Sequence, residues 1–185
     1  FSSSSAIMAS STWTAIGPMG PISGNAGGQL LKSGRINFVS ISPTNSNVLF
    51  VGAPCGGLWK STNGGTSWTT NTDNLPITGF GDHAFDPTNT NVMYASTGDS
   101  DTGDSNCTGV YKSTDGGNTW ILTSLTFPIT SGVHIRRLIV NPTNPLIVMA
   151  VGTMGIRRST DGGTTWTSIS TTNTYDIEFK PGDAN

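Results

Sequence analysis

Ser61-Thr-Asn-Gly-Gly-Thr-Ser-Trp68, Ser113-Thr-Asp-Gly-Gly-Asn-Thr-Trp120 and Ser159-Thr-Asp-Gly-Gly-Thr-Thr-Trp166 are one motif written three times. The copies align without gaps and begin 52 and 46 residues apart, a period that fits one four-stranded blade of a β-propeller. Within each copy an Asp or Asn side chain can accept hydrogen bonds from nearby backbone amides, Gly supplies positive φ, and Trp returns to pack over the hairpin. Ser61, Asn63, Gly65 and Trp68 therefore read as the structural corner of a first hairpin. Ser113, Asp115, Gly117 and Trp120 form the second corner, and Ser159, Asp161, Gly163 and Trp166 the third. Asn63 stands where the other copies carry Asp, a change that keeps the turn.

A second motif runs in step with the first. Pro43-Thr-Asn45, Pro87-Thr-Asn89 and Pro142-Thr-Asn144 each precede a β-branched or apolar run, and Pro181-Gly-Asp183 begins a fourth copy. These read as tight turns followed by strands. One unit is then strand A over 35–42, strand B over 48–53, strand C over 57–61, the motif turn, and strand D over 66–70. The order repeats, so that blade one spans 34–70, blade two 82–124 and blade three 133–170, with residues 175–185 starting a fourth. Trp13 to Pro18 resembles an isolated outer strand of the kind that closes a ring, and residues 1–12 read as a linker or processed segment. The expected fold is all-β, about three and a half blades from a ring of roughly six to eight.

Composition agrees. Among 185 residues, 24 are Gly, 10 are Pro and 11% are charged, a profile far from helical or disordered chains. A net charge of −2 with scattered Lys and Arg excludes the basic footprint of a nucleic-acid or anionic-membrane binder. No stretch approaches the roughly 20 apolar residues of a membrane span. The low-charge Thr/Asn/Gly surface leans toward a secreted or cell-surface location.

The Ser-x-Asp-x-Gly-x-x-Trp pattern resembles the Asp-box, or bacterial neuraminidase repeat, family, which includes sialidases, sortilin-like receptors, xyloglucan-cleaving propellers and photosystem assembly factors. Gly34-Arg-Ile-Asn37, Gly56-Gly-Leu-Trp-Lys-Ser61, Thr97-Gly-Asp99 and Gly109-Val-Tyr-Lys-Ser-Thr-Asp-Gly-Gly117 are most similar to the sortilin-like propellers of large exported bacterial proteins. That resemblance implies a cargo of type IX secretion and a ring completed by the rest of the same polypeptide. Two copies pairing to close one ring is the rival arrangement.

Candidate chemistry is sparse. Asp99, Asp101 and Asp104 offer hard oxygen ligands at short spacing in the loop between strands B and C of blade two, as calcium requires, although no downstream Glu completes the set. No cofactor is expected; calcium is the single candidate, and Asp/Gly/Ser loops of this kind are usually polar turns. Cys55 and Cys107 each fall six residues before the first Ser of their own motif, so they occupy equivalent loops of neighbouring blades. In an exported protein they form a candidate disulfide, provided the longer loop bends to bring the two within bonding distance. His83 and His134 recur at the starts of strand A as channel-lining side chains with no evident third metal ligand. Arg35, Arg136, Arg137, Arg157 and Arg158 do not assemble the sialidase set, which also needs a Tyr nucleophile with a Glu partner, and Glu178 is the sole glutamate. Asp82 and Asp176, at the starts of inner strands, are the two candidates for a glycosidase carboxylate pair.

These readings favour a non-enzymatic binding or structural module whose B–C and D–A loops face a protein or glycan partner. The alternative is a polysaccharide-degrading hydrolase of the xyloglucanase type with further catalytic residues in other blades.

Overall fold

The computed structural model describes residues 35–100 and 105–180. The expected ring-closing strand at 13–18 and the segment 1–12 lie outside these residues. Within them the chain makes three four-stranded antiparallel sheets and no helix. Sheet one contains β1 (Phe38–Ser42), β2 (Asn45–Gly52), β3 (Leu58–Ser61) and β4 (Thr69–Thr70). Sheet two contains β5 (Phe80–Phe85), β6 (Met93–Thr97), β7 (Gly109–Ser113) and β8 (Ile121–Thr126). Sheet three contains β9 (Ile135–Val140), β10 (Val148–Gly152), β11 (Gly155–Ser159) and β12 (Thr167–Ser170). Each sheet is a meander in sequence order, which is the up-and-down connectivity of a propeller blade.

The central strands are β-branched and apolar because neighbouring blades cover them on both faces. In β10, Val148, Ala150 and Val151 are fully buried. Strand alternation sends successive rows to opposite blades. Across sheet one, Ser40, Phe50 and Lys60 share one row and Val39, Val51 and Trp59 the next. Phe50 and Leu58 join Phe80, Met93, Ala95, Tyr111 and Trp120 in a core between sheets one and two. Tyr94, Val110 and Leu125 join Ile135, Leu138, Val148 and Ala150 in a second core between sheets two and three. The hydrophobic effect thus acts between blades, and each sheet is held by its neighbours.

Strand ends shift by up to three residues, β1 starting at Phe38 where 35 was expected and β2 at Asn45 where 48 was expected, and two differences go further. The last strand of blade one shrinks to Thr69–Thr70, because the turn's own hydrogen bonds to Asn63 continue through Thr66 and Ser67 and occupy that backbone. Residues 175–179, expected as strand A of a fourth blade, form no strand. An inner strand is defined by its ladder to the strand after it, and no such partner lies among the described residues. The segment is instead tethered at its start, where Thr174 N donates to Gly152 O at 3.0 Å.

Candidate functional site

The three repeated corners are built alike. Ser61, Ser113 and Ser159 each accept the amide of the second glycine of their own motif, Gly65, Gly117 and Gly163, at 2.8 Å. Each hydroxyl also donates to the neighbouring Asn63, Asp115 or Asp161 side chain. That side chain in turn accepts the backbone amide four residues on, at 2.9 Å from Ser67, 2.9 Å from Thr119 and 2.8 Å from Thr165. Donation from the Thr119 and Thr165 hydroxyls, the largest cause, holds the Asp115 and Asp161 carboxyls down at about 2. In blade one Asn63 keeps the accepting half and reverses the other bond, donating through Nδ2 to Ser67 Oγ at 2.8 Å. The tryptophans do more than cover their own hairpins: Trp120 belongs to the core between blades one and two, and Trp166 packs against the core between blades two and three.

The corner of one blade is gripped by the blade before it. Lys112 Nζ and Tyr94 Oη, in adjacent strands of blade two, both donate to Gly162 O, at 2.7 and 3.0 Å. Lys112 also lies 5.5 Å from the centre of the Tyr94 ring. Sequence reasoning missed this clamp, although the in-register recurrence of Lys60, Lys112 and Arg158 just before each motif serine was its signal.

At the inner strands, Asp82 and His83 point in opposite directions. Asp82 is buried toward blade three, where its Oδ2 accepts the Leu138 amide at 2.7 Å. Burial, outweighing that bond and the nearby Arg137, raises its carboxyl to about 6. Asp176 is exposed and lies 3.3 Å from Arg137 Nε. The candidate carboxylates therefore flank one arginine, one in the interior and one in solvent. His83 faces blade one, stacked 4.8 Å from Phe50 and edge-on to Phe85 and Trp120, with Nδ1 3.0 Å from Ser40 Oγ. Its Nε2 has no hydrogen-bond partner among the described residues, and burial lowers its pKa to about 3. His134 instead meets Asp99 O at 3.1 Å, so the two histidines share no site.

Asp99 is buried and takes Arg35 at 2.5 Å, which commits that carboxylate to an ion pair between blades one and two. Asp101 and Asp104 lie outside the described residues, among which no group of three His, Cys, Asp or Glu could hold a metal. Two of the other arginines considered for a carboxylate clasp are engaged elsewhere. Arg136 donates to Asn173 at 2.6 Å and lies over the Tyr175 ring at 4.2 Å, and Arg157 donates to Ser168 Oγ at 2.7 Å.

The disulfide expected between Cys55 and Cys107 is not formed. Cys107 is buried in the core that faces blade three, whereas Cys55 lies exposed on blade one. Burial also pushes the Cys107 thiol up to about 11, which suppresses the thiolate that exchange requires.

No protein-family model matches the chain, and no curated protein does. Solved structures do. An ancestral GH74 enzyme superposes with a TM-score of 0.63 at 28% identity, over 74% of this chain and 18% of that one. The GH74 xyloglucanase from Xanthomonas campestris gives 0.58 at 21% identity, over 73% and 20%. YCF48 from Cyanidioschyzon merolae gives 0.55 at 16% identity, over 78% and 42%. With its three consecutive four-stranded meanders, the chain is part of a β-propeller. It spans about a fifth of the length of the GH74 chains and less than half of the YCF48 chain. No helix among the described residues is long and apolar enough to cross a membrane.

Proposed function

We propose that the chain is an arc of a secreted or cell-surface propeller that carries binding loops and performs no chemistry itself. One observation carries this reading: both candidate carboxylates are engaged, Asp82 by the Leu138 amide inside the interblade contact and Asp176 by Arg137. An acid that must reach a glycosidic oxygen cannot remain tied to the edge of the neighbouring inner strand. The loops at the B–C end are the surface left for a protein or glycan partner, the longest being 98–108 in blade two.

A second reading has its own support. A carboxyl that keeps its proton up to about pH 6 suits a general acid, and the 28% identical neighbour is a GH74 enzyme. In that reading Asp82 is the acid and Asp176 its partner. Incubation with xyloglucan, other polysaccharides and sialosides, read by reducing-sugar release, separates the two. We expect no turnover; turnover abolished by Asp82→Asn or Asp176→Asn would replace the first reading with the second.

A further inference from the structure

The repeats serve as one another's control, and their departures gather at one junction. Between blades two and three, the turn entering β10 carries Pro145 and Leu146, and a Cβ on Gly162 would touch Leu146 at 3.6 Å. Lys112 and Tyr94 reach in from the other side through their bonds to Gly162 O, and the pocket at that junction is the smaller, about 170 Å³, lined by Lys112, Ile121, Thr123 and Gly162. Between blades one and two the same places hold Thr90, Asn91, Lys60 and Phe50. Phe50 has no hydroxyl to donate. Lys60 Nζ, 5.9 Å from the Phe50 ring, makes a single 3.4 Å bond to Asn118 Oδ1 and no ion pair among the described residues.

A further change opens the same junction. Asp86 and Asn141 clasp their own Pro-Thr-Asn turns, accepting the amides of Thr88 at 2.8 Å and Thr143 at 2.9 Å. Their counterpart Ser42 reaches Thr44 Oγ1 at 3.4 Å. The result is a pocket of 280 Å³ lined by Ser42, Thr44, Thr90, Asn91, Lys60 and Gly116, with Val48 and Met93 beneath.

We propose that this pocket binds one acidic sugar unit, a hexuronate. Its hydroxyl and amide groups donate and accept hydrogen bonds at once, as sugar hydroxyls do. Half-buried Val48 is the apolar side chain that the lining leaves partly accessible to the C–H face of the ring, Met93 being buried in the core behind it. The sole charge in the lining is the Lys60 ammonium, which lies beside no lining carboxylate and selects an anionic substituent. Its volume, below the roughly 300 Å³ at which drug-sized pockets begin, admits a single ring. The site lies at the end of the blades that carries the repeated corners, opposite the B–C loops, and does not rest on the function proposed above.

The test is a titration of the isotope-labelled chain with galacturonate and with galactose, followed by amide NMR. We expect saturable shifts at Thr44, Asn91 and Gly116 with galacturonate, and binding of galactose weaker by about tenfold, the loss of one charge-assisted contact. Lys60→Met should bring galacturonate down to the galactose level. Thr90→Pro with Asn91→Leu, which copies the turn of blade three, should remove both responses and leave the rest of the spectrum in place. No saturable shift with either sugar, unchanged binding in the Pro/Leu variant, or undiminished preference for galacturonate in Lys60→Met would each overturn the assignment.

Discussion

His83 turns toward blade one and Asp82 toward blade three, and burial acts on the two with opposite sign. The folded state favours neutral His83, with a pKa near 3 against 6.5 when unfolded, so the unfolded chain binds more protons across that interval. The stability this contributes is present above pH 6.5 and is lost on acidification, by about 2 kcal/mol at pH 5. Asp82 runs the other way. Its folded pKa of about 6 lies above the unfolded 3.8, so its contribution is present below pH 3.8 and is lost as pH rises through 6, about 3 kcal/mol in all. Between pH 4 and 6 the two slopes oppose, and urea melts of the unaltered chain should give a nearly level stability. His83→Phe should leave a stability that declines with rising pH over this range, and Asp82→Asn one that climbs. Level profiles in both variants would mean that neither group titrates as its burial dictates. Asp82 and His83 were legible in the sequence as inner-strand residues; which blade each faces was not, because that depends on a register that only the paired strands define.

Among elements, the contact that sets blade against blade is the grip on the following corner. Tyr94 Oη and Lys112 Nζ share the Gly162 carbonyl, and the Tyr94 ring lies against Gly163, where a Cβ would stand 3.1 Å from its Cε1. Gly163 has φ of +86°, so glycine there meets a backbone need and a packing need together. Tyr94→Phe should cost about 1 kcal/mol, the net worth of one buried hydrogen bond, seen as a lower denaturation midpoint with an unchanged m-value. An unchanged midpoint would show that Lys112 alone satisfies the carbonyl. The strands and corners were readable from the repeat because hydrogen-bonded turns are local. That residues 175–179 form no strand among the described residues, and that Cys55 and Cys107 are not bridged, was not readable from the repeat, because both depend on what lies beside them across blades.

At the scale of the whole molecule, the outer face of blade one is, among the described residues, the exposed member of a series. Val39, Ile41 and Trp59 are 60%, 57% and 39% exposed, whereas His83 and Tyr111, in the positions of Val39 and Trp59 one blade on, are buried against blade one. A contiguous apolar face of this kind is an association surface. Sedimentation should show concentration-dependent self-association of this chain, suppressed by Val39→Lys with Ile41→Lys; a chain that stays monomeric at every concentration would contradict it. The sequence by itself determined the repeat, the four-stranded unit and the three corners, since each corner is closed by side chains reaching amides within four residues. Only the tertiary structure decided that Asp82 is buried against Leu138, that Cys107 enters the core facing blade three while Cys55 is exposed, and that the pockets at two equivalent junctions differ in size and lining. Those outcomes belong to contacts between sheets, where a side chain's fate depends on the neighbour packed against it and not on its own spacing in the chain.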